Sequence, residues 1–296
     1  MRISRAGAPF WQCDQPVEIR FMTRVRPSFN LVDLGPRAAS AVVMICAALT
    51  TNMLGGAGFA LFWLAAACAV FWEWLGLLQT VRSKGMLLSG MVALVLAASL
   101  NFDGLVALSL CVVAGAAMLL LILAPKGQRM WSMAGLVYAS SLIFSTLNLR
   151  FSAGMGQYAI LWLFAVVWGT DIMAYFGGRL IGGPKLWPRV SPSKTWSGFL
   201  CGIGSGALAG FIIVPEHITS VLFGLGLCAG AVAQGGDLFE SAMKRRFGVK
   251  DSSRLIPGHG GVMDRLDGFI AASFFAFIIG LLHGGFAAPA IGLLNW

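Results

Sequence analysis

The chain has 296 residues, of which 58% are hydrophobic and only 11% charged, against roughly 45–50% and about 25% in ordinary soluble domains. With a mean hydropathy of +0.81, this excludes a water-soluble globular domain, a disordered chain and a coiled coil. The net charge of +9 is therefore first a question of membrane sidedness and not a sign of nucleic-acid binding.

The N-terminal segment 1–37 carries six basic residues and lacks the apolar run of a signal peptide. Met22-Thr23-Arg24-Val25-Arg26 reads as a natural basic start, on which reading 1–21 would be an extension. Long stretches free of Asp, Glu, Lys and Arg follow, and a helix needs about 20 apolar residues to cross the hydrocarbon core. They predict an all-α polytopic membrane protein with nine spans, at about 38–54, 57–81, 85–101, 104–125, 130–149, 157–177, 196–214, 218–236 and 267–290. A turn near Gly55-Gly56 separates the first two. The alternating strands of a transmembrane barrel are not seen. The spans divide into an N-terminal region, 38–150, with short loops, and a C-terminal region, 151–296, with two long ones.

Lys and Arg set the orientation. With a cytoplasmic N-terminus, the inner segments 1–37, 82–84, 126–129, 178–195 and 237–266 hold 20 of the 21 basic residues, and the outer side holds only Arg150. That asymmetry predicts a protein of the cell inner membrane with its long loops in the cytoplasm.

The first chemically dense segment is 237–267. If the eighth helix continues past the membrane, Asp237, Glu240, Ser241 and Lys244 share one face at i, i+3, i+4 and i+7. Arg245, Lys250 and Asp251 follow. Pro257-Gly258-His259-Gly260-Gly261 then forces a loop whose glycines let backbone N–H groups approach a phosphate. Asp264, Arg265 and Asp267 open the ninth helix, where acids suit the helix N-terminus. Carboxylates that can hold Mg²⁺, cations that neutralise phosphate and a glycine-rich turn belong together in phosphate chemistry. A basic loop that only sets topology has no need of five interleaved acids or of Gly-His-Gly-Gly.

The second segment is 171–198. Asp171, Tyr175 and Gly178 share a helix face, and an ionisable residue inside a span points to function. Arg179 and Lys185 follow. Ser191-Pro192-Ser193-Lys194-Thr195 either caps the seventh helix or offers hydroxyls and Lys194 to a nucleotide.

From Ser241 to Asp267 the sequence resembles the signature of the phosphatidate cytidylyltransferase (CDP-diacylglycerol synthase) family, matching it at every specified position. The segment from Asp171 to Gly198 is similar to a second block of that family. It departs at Ser197, where the family has an acid, and at Ile172, where a small or hydroxyl residue is usual. The resemblance implies transfer of the cytidylyl group of CTP to phosphatidate, giving CDP-diacylglycerol and pyrophosphate. It implies Asp237 and Asp264 as ligands of Mg²⁺, alongside which a second cation is allowed, with Asp267 assisting and Lys244 and His259 in the catalytic group. Ser241, Arg245, Lys250, Asp251, Gly260, Gly261 and Arg265 would bind phosphates, and Asp171, Tyr175 and Lys194 would complete the pocket. Phosphatidate would enter sideways from the inner leaflet, and a homodimer is allowed on family grounds alone.

Two other readings stay open: a CTP-dependent kinase of a polyprenol or phytol, and a transporter. The second sits poorly with charge gathered at one surface and no visible repeat. Glu73, between Trp72 and Trp74 in the second span, either serves the site, pairs with a hydroxyl or stays protonated. His217 and His283 read as interfacial or packed. The six cysteines show no metal spacing and read as small apolar residues. The small residues of 201–210 predict close helix packing.

Overall fold

The structure is a computed structural model that describes residues 34–78, 83–214, 219–253, 255–256 and 260–296. Among these residues, ten helices and one hairpin follow in chain order: α1 (Leu34–Leu54), α2 (Gly56–Leu77), α3 (Lys84–Phe102), α4 (Val106–Leu123), α5 (Arg129–Arg150), α6 (Gly156–Leu180), β1 (Lys185–Trp187), β2 (Ser191–Thr195), α7 (Trp196–Ile213), α8 (Ser220–Arg246), α9 (Met263–Gly284) and α10 (Pro289–Leu294). The protein is all-α and polytopic. Among the described residues, eight helices, α2 to α9, are long and apolar enough to span a membrane, and α1 contributes a shorter apolar stretch, Ala39–Leu54.

Glycine makes the first break. Gly55 and Gly56 both have positive φ, 65° and 56°, which an L side chain adopts poorly. The chain therefore turns between α1 and α2, where a Cβ on Gly55 would also lie 2.5 Å from the Arg150 guanidinium. α8 runs 27 residues, well beyond the 20 or so that hydrocarbon requires. Its last turns carry the Asp237–Lys244 face on an unbroken helix, as the spacing predicts. Two features exceed the sequence expectations: the short antiparallel β1–β2 hairpin, with Lys185 opposite Thr195, and the terminal helix α10.

Lipid offers no hydrophobic drive between helices, so close backbone approach and dispersion must hold them. α6 and α7 solve this with a glycine row. A Cβ on Gly198 would stand 2.6 Å from the Ala174 carbonyl, one on Gly202 2.8 Å from that of Thr170, and one on Gly206 2.1 Å from the Thr170 hydroxyl. α8 and α9 meet the same way, with Gly236 under the Asp267 carbonyl. The centre is aromatic: Trp63 of α2 stacks on Phe269 of α9, centroids 4.8 Å apart, and Phe164 of α6 lies beside them. α2, α6 and α9 thus share one packed core, on which the polar ends of α6, α8 and α9 are mounted.

Candidate active site

On α8, one helix face gathers the polar residues. Ser241 donates to the Asp237 carboxylate at 3.3 Å, and Lys244 pairs with Glu240 at 2.9 Å, both four residues apart. The hairpin then brings in Lys194. Its Nζ lies 2.7 Å from Asp237 Oδ2 and also donates to the Gln234 carbonyl. Thr195, the last hairpin residue, caps α7 by accepting the Gly198 N–H at 3.1 Å. The Ser-Pro-Ser-Lys-Thr run therefore both caps the helix and delivers a lysine. Ser197, where the resemblance expects an acid, pairs with the Thr195 hydroxyl and donates a short hydrogen bond to the Gly182 carbonyl. Ile172, the other departure, is exposed and outside the cavity lining.

Asp264, at the start of α9, is the most heavily bonded acid of the signature. Lys244 Nζ lies 2.7 Å from its Oδ1. The N–H groups of Gly261 and Ser252 donate to its Oδ2 at 2.9 and 3.1 Å. Asp267, one turn on, accepts the Gly268 N–H at 2.7 Å. Gly260 has φ +86°, and a Cβ there would lie 2.8 Å from the Asp264 carboxylate. Gly260 thus has no room for a side chain against the Asp264 carboxylate.

Glu73 enters the site from α2. It is fully buried. Its carboxylate accepts from the hydroxyls of Ser252 and Ser253 at 3.1 and 2.6 Å, and from the N–H groups of Val262 and Met263 at 2.8 and 2.7 Å. Of the readings the sequence left open, the structure shows hydroxyl pairing together with a grip on the backbone. The partners stand 179 to 190 positions along the chain. The sequence signal was only an acid between two tryptophans.

These elements enclose a cavity of about 1330 Å³. Asp171, Tyr175, Lys194, Asp237, Glu240, Lys244, Asp251, Asp264, Arg265 and Asp267 line its charged end. Val43, Met44, Phe62, Trp63, Phe164 and Trp168, from α1, α2 and α6, line the other. Arg179, on the same face as Tyr175, donates from its Nη1 to that hydroxyl at 2.6 Å and also lines the cavity. Arg245 and Lys250 are exposed and are not part of the lining. Ser241, Gly260 and Gly261 stand behind it, bonded to or packed on the acids. His259 and His217 lie outside the described residues. His283 is packed, its ring stacked on Trp296 at 4.0 Å and its Nδ1 bonded to the Gly292 carbonyl.

The donor set is one of oxygen ligands, which suit a hard cation. Among the described residues no group of three or more carboxylate, imidazole or thiol side chains forms a ready metal cage. Magnesium commonly uses one or two carboxylates, with water and substrate phosphate completing its shell. Asp237 and Asp264, each held by a lysine, are two carboxylates that would fit such a shell. Glu240 Oε1, buried beside them, has no hydrogen-bond partner among the described residues.

The sequence matches the cytidylyltransferase family over residues 36–283. It is 40% identical over 263 residues to a phosphatidate cytidylyltransferase of Brucella abortus, covering 88% of this chain and 96% of that one. Enzymes of the same name from Haemophilus influenzae and Staphylococcus aureus are 38% and 41% identical, over 56% and 43% of this chain and 66% and 48% of theirs. These matches, over most of its length, place the chain in the cytidylyltransferase family, as an integral membrane enzyme of the nucleotidyltransferase class.

Proposed function

We propose that the chain transfers the cytidylyl group of CTP to phosphatidate, forming CDP-diacylglycerol and pyrophosphate. The observation that carries this reading is the two-ended cavity. Its charged end is lined by Lys194, Lys244 and Arg265 among acids, and its other end by apolar side chains of α1, α2 and α6. A lipid phosphate and a nucleotide triphosphate need the first, and acyl chains need the second.

The reaction joins a phosphatidate oxygen to the α-phosphorus of CTP and breaks the bond from that phosphorus to the bridging oxygen, which leaves with pyrophosphate. Little covalent work falls to the protein, so positioning and charge neutralisation dominate. Lys194 and Lys244 are held by Asp237 and Asp264. A magnesium nucleotide offers each partner a replacement: phosphate for the lysines, cation for the carboxylates. Bound by Asp237 and Asp264, Mg²⁺ would supply neutralisation of the triphosphate charge. Arg265 and Lys244 then hold phosphate oxygens, and Asp171 and Tyr175 close the pocket on the α6 side.

The 20-to-1 distribution of basic residues supports an inner-membrane enzyme with its site facing the cytoplasm. CTP is available there, and phosphatidate can slide in from the inner leaflet. The test is direct: purified protein in detergent or vesicles, given CTP labelled at the α-phosphate, phosphatidate and Mg²⁺, should make labelled CDP-diacylglycerol. Transfer of the γ-phosphate to a lipid alcohol, with no cytidylyl lipid, would instead mark a CTP-dependent kinase.

A further inference from the structure

We infer that Glu73 is a positioning residue that fixes the loop around Asp264, and through it the nucleotide end of the site; this rests on the function proposed above. Val262, the residue that precedes α9, gives that helix no side-chain cap. The first N–H groups of a helix need acceptors, and a negative charge suits that end. Glu73 supplies both from α2, taking the N–H groups of Val262 and Met263.

The same carboxylate holds the other side of the loop. Ser252 gives its hydroxyl to Glu73 and its N–H to Asp264. Ser253 gives its hydroxyl to Glu73 and accepts the N–H of Leu255, which lines the cavity. Gly261 sits between the two acids. Its N–H goes to Asp264, and a Cβ on it would lie 2.7 Å from both Glu73 oxygens and 1.9 Å from the Ser252 hydroxyl. Ser252 therefore bridges the buried carboxylate of α2 to that of Asp264 on α9, and Gly261 fits closely between the two. α2 also places Phe62 and Trp63 in the cavity wall, so one helix registers the apolar end against the charged end.

Glu73→Gln keeps the shape but replaces one acceptor oxygen by a donor amide, which faces N–H and O–H donors. A carboxylate supporting a site in this way typically matters about 10- to 100-fold. The expected result is a rise of about tenfold or more in the KM for CTP, with the KM for phosphatidate changed less than about twofold. Hydrogen exchange gives a readout apart from turnover. The amides of Ser252 and Gly261, which bond to Asp264 and not to Glu73, should exchange faster in Glu73→Gln. If only Val262 and Met263 speed up while the KM for CTP holds, Glu73 merely caps α9 and the inference fails. The Ser252→Ala, Ser253→Ala double variant tests the same claim should Glu73→Gln not insert. It should raise the KM for CTP in the same direction, and an unchanged KM overturns the inference. Lack of any cytidylyl lipid from the parent enzyme would refute the proposed reaction, while the exchange arm would still report on Glu73.

Discussion

The helices before residue 151 and those after it use polar residues in opposite ways. In the first region several polar groups close on one another between helices. Asn101 of α3 donates to Ser109 of α4 at 2.6 Å, and Asn148 of α5 donates to Asn101 at 2.8 Å, tying three helices at one buried point. Arg150, the one basic residue assigned to the outer side, donates to the Asn52 carbonyl at 2.8 Å and lies over Phe59. In the second region polar groups converge from separate elements on one cavity: Lys194 from the hairpin, Asp237 and Lys244 from α8, Asp264 from α9. The first pattern buys helix association where lipid gives no hydrophobic drive. The second leaves charge available for exchange with a substrate. Glu73 belongs to the first region by position and to the second by its bonds.

Substitutions can break or sharpen this contrast. The largest effect is expected at Asp264. Asp264→Asn should cut cytidylyl transfer by about 10²–10³-fold or more while the protein still inserts, as for groups aimed at transition-state charge. Near-normal turnover would remove Asp264 from the chemistry. Lys194→Met, which strips Asp237 of its ion pair, should lower kcat/KM for CTP by about 10²-fold, measured by the same assay. A change below about twofold would reduce the hairpin to scaffolding.

Gly206→Ala tests packing and not chemistry. Its new methyl would meet the Thr170 hydroxyl at 2.1 Å and the Val166 carbonyl at 2.6 Å, so α6 and α7 must part. A loss of about 1–3 kcal/mol is expected, read as a lower unfolding temperature in detergent. The smallest effect belongs to the first region. Asn148→Ala should cost about 0.6 kcal/mol, the average for hydrogen bonds between membrane helices, and leave the KM for CTP unchanged. A shift there as large as that of Lys194→Met would erase the distinction between the regions.

Much of this arrangement was legible because it is local. Runs without charge locate the helices, since each must fill the membrane by itself. The i, i+3, i+4, i+7 spacing of Asp237, Glu240, Ser241 and Lys244 specifies a face, and the structure shows its internal bonds. Gly55-Gly56 announces a turn that backbone sterics demand. The parts that escaped are set by tertiary contact. Nothing within ten residues of Glu73 hints at Ser252 or Met263. The hairpin that carries Lys194 to Asp237 is too short to show an alternating pattern. Arg245 and Lys250 belong to the signature yet stand exposed, away from the cavity lining: Arg245 is one position past Lys244 on α8, about 100° round the helix, and Lys250 is on the loop beyond it, whose direction sequence spacing does not give.

The most direct test of the account is a single assay. Purified protein is incubated with CTP labelled at the α-phosphate, phosphatidate and Mg²⁺, and the lipid and aqueous products are followed together. The account predicts labelled CDP-diacylglycerol and pyrophosphate in equal amounts, lost with Asp264→Asn. No cytidylyl lipid from the parent protein, across metal and detergent conditions that keep it folded, would contradict it.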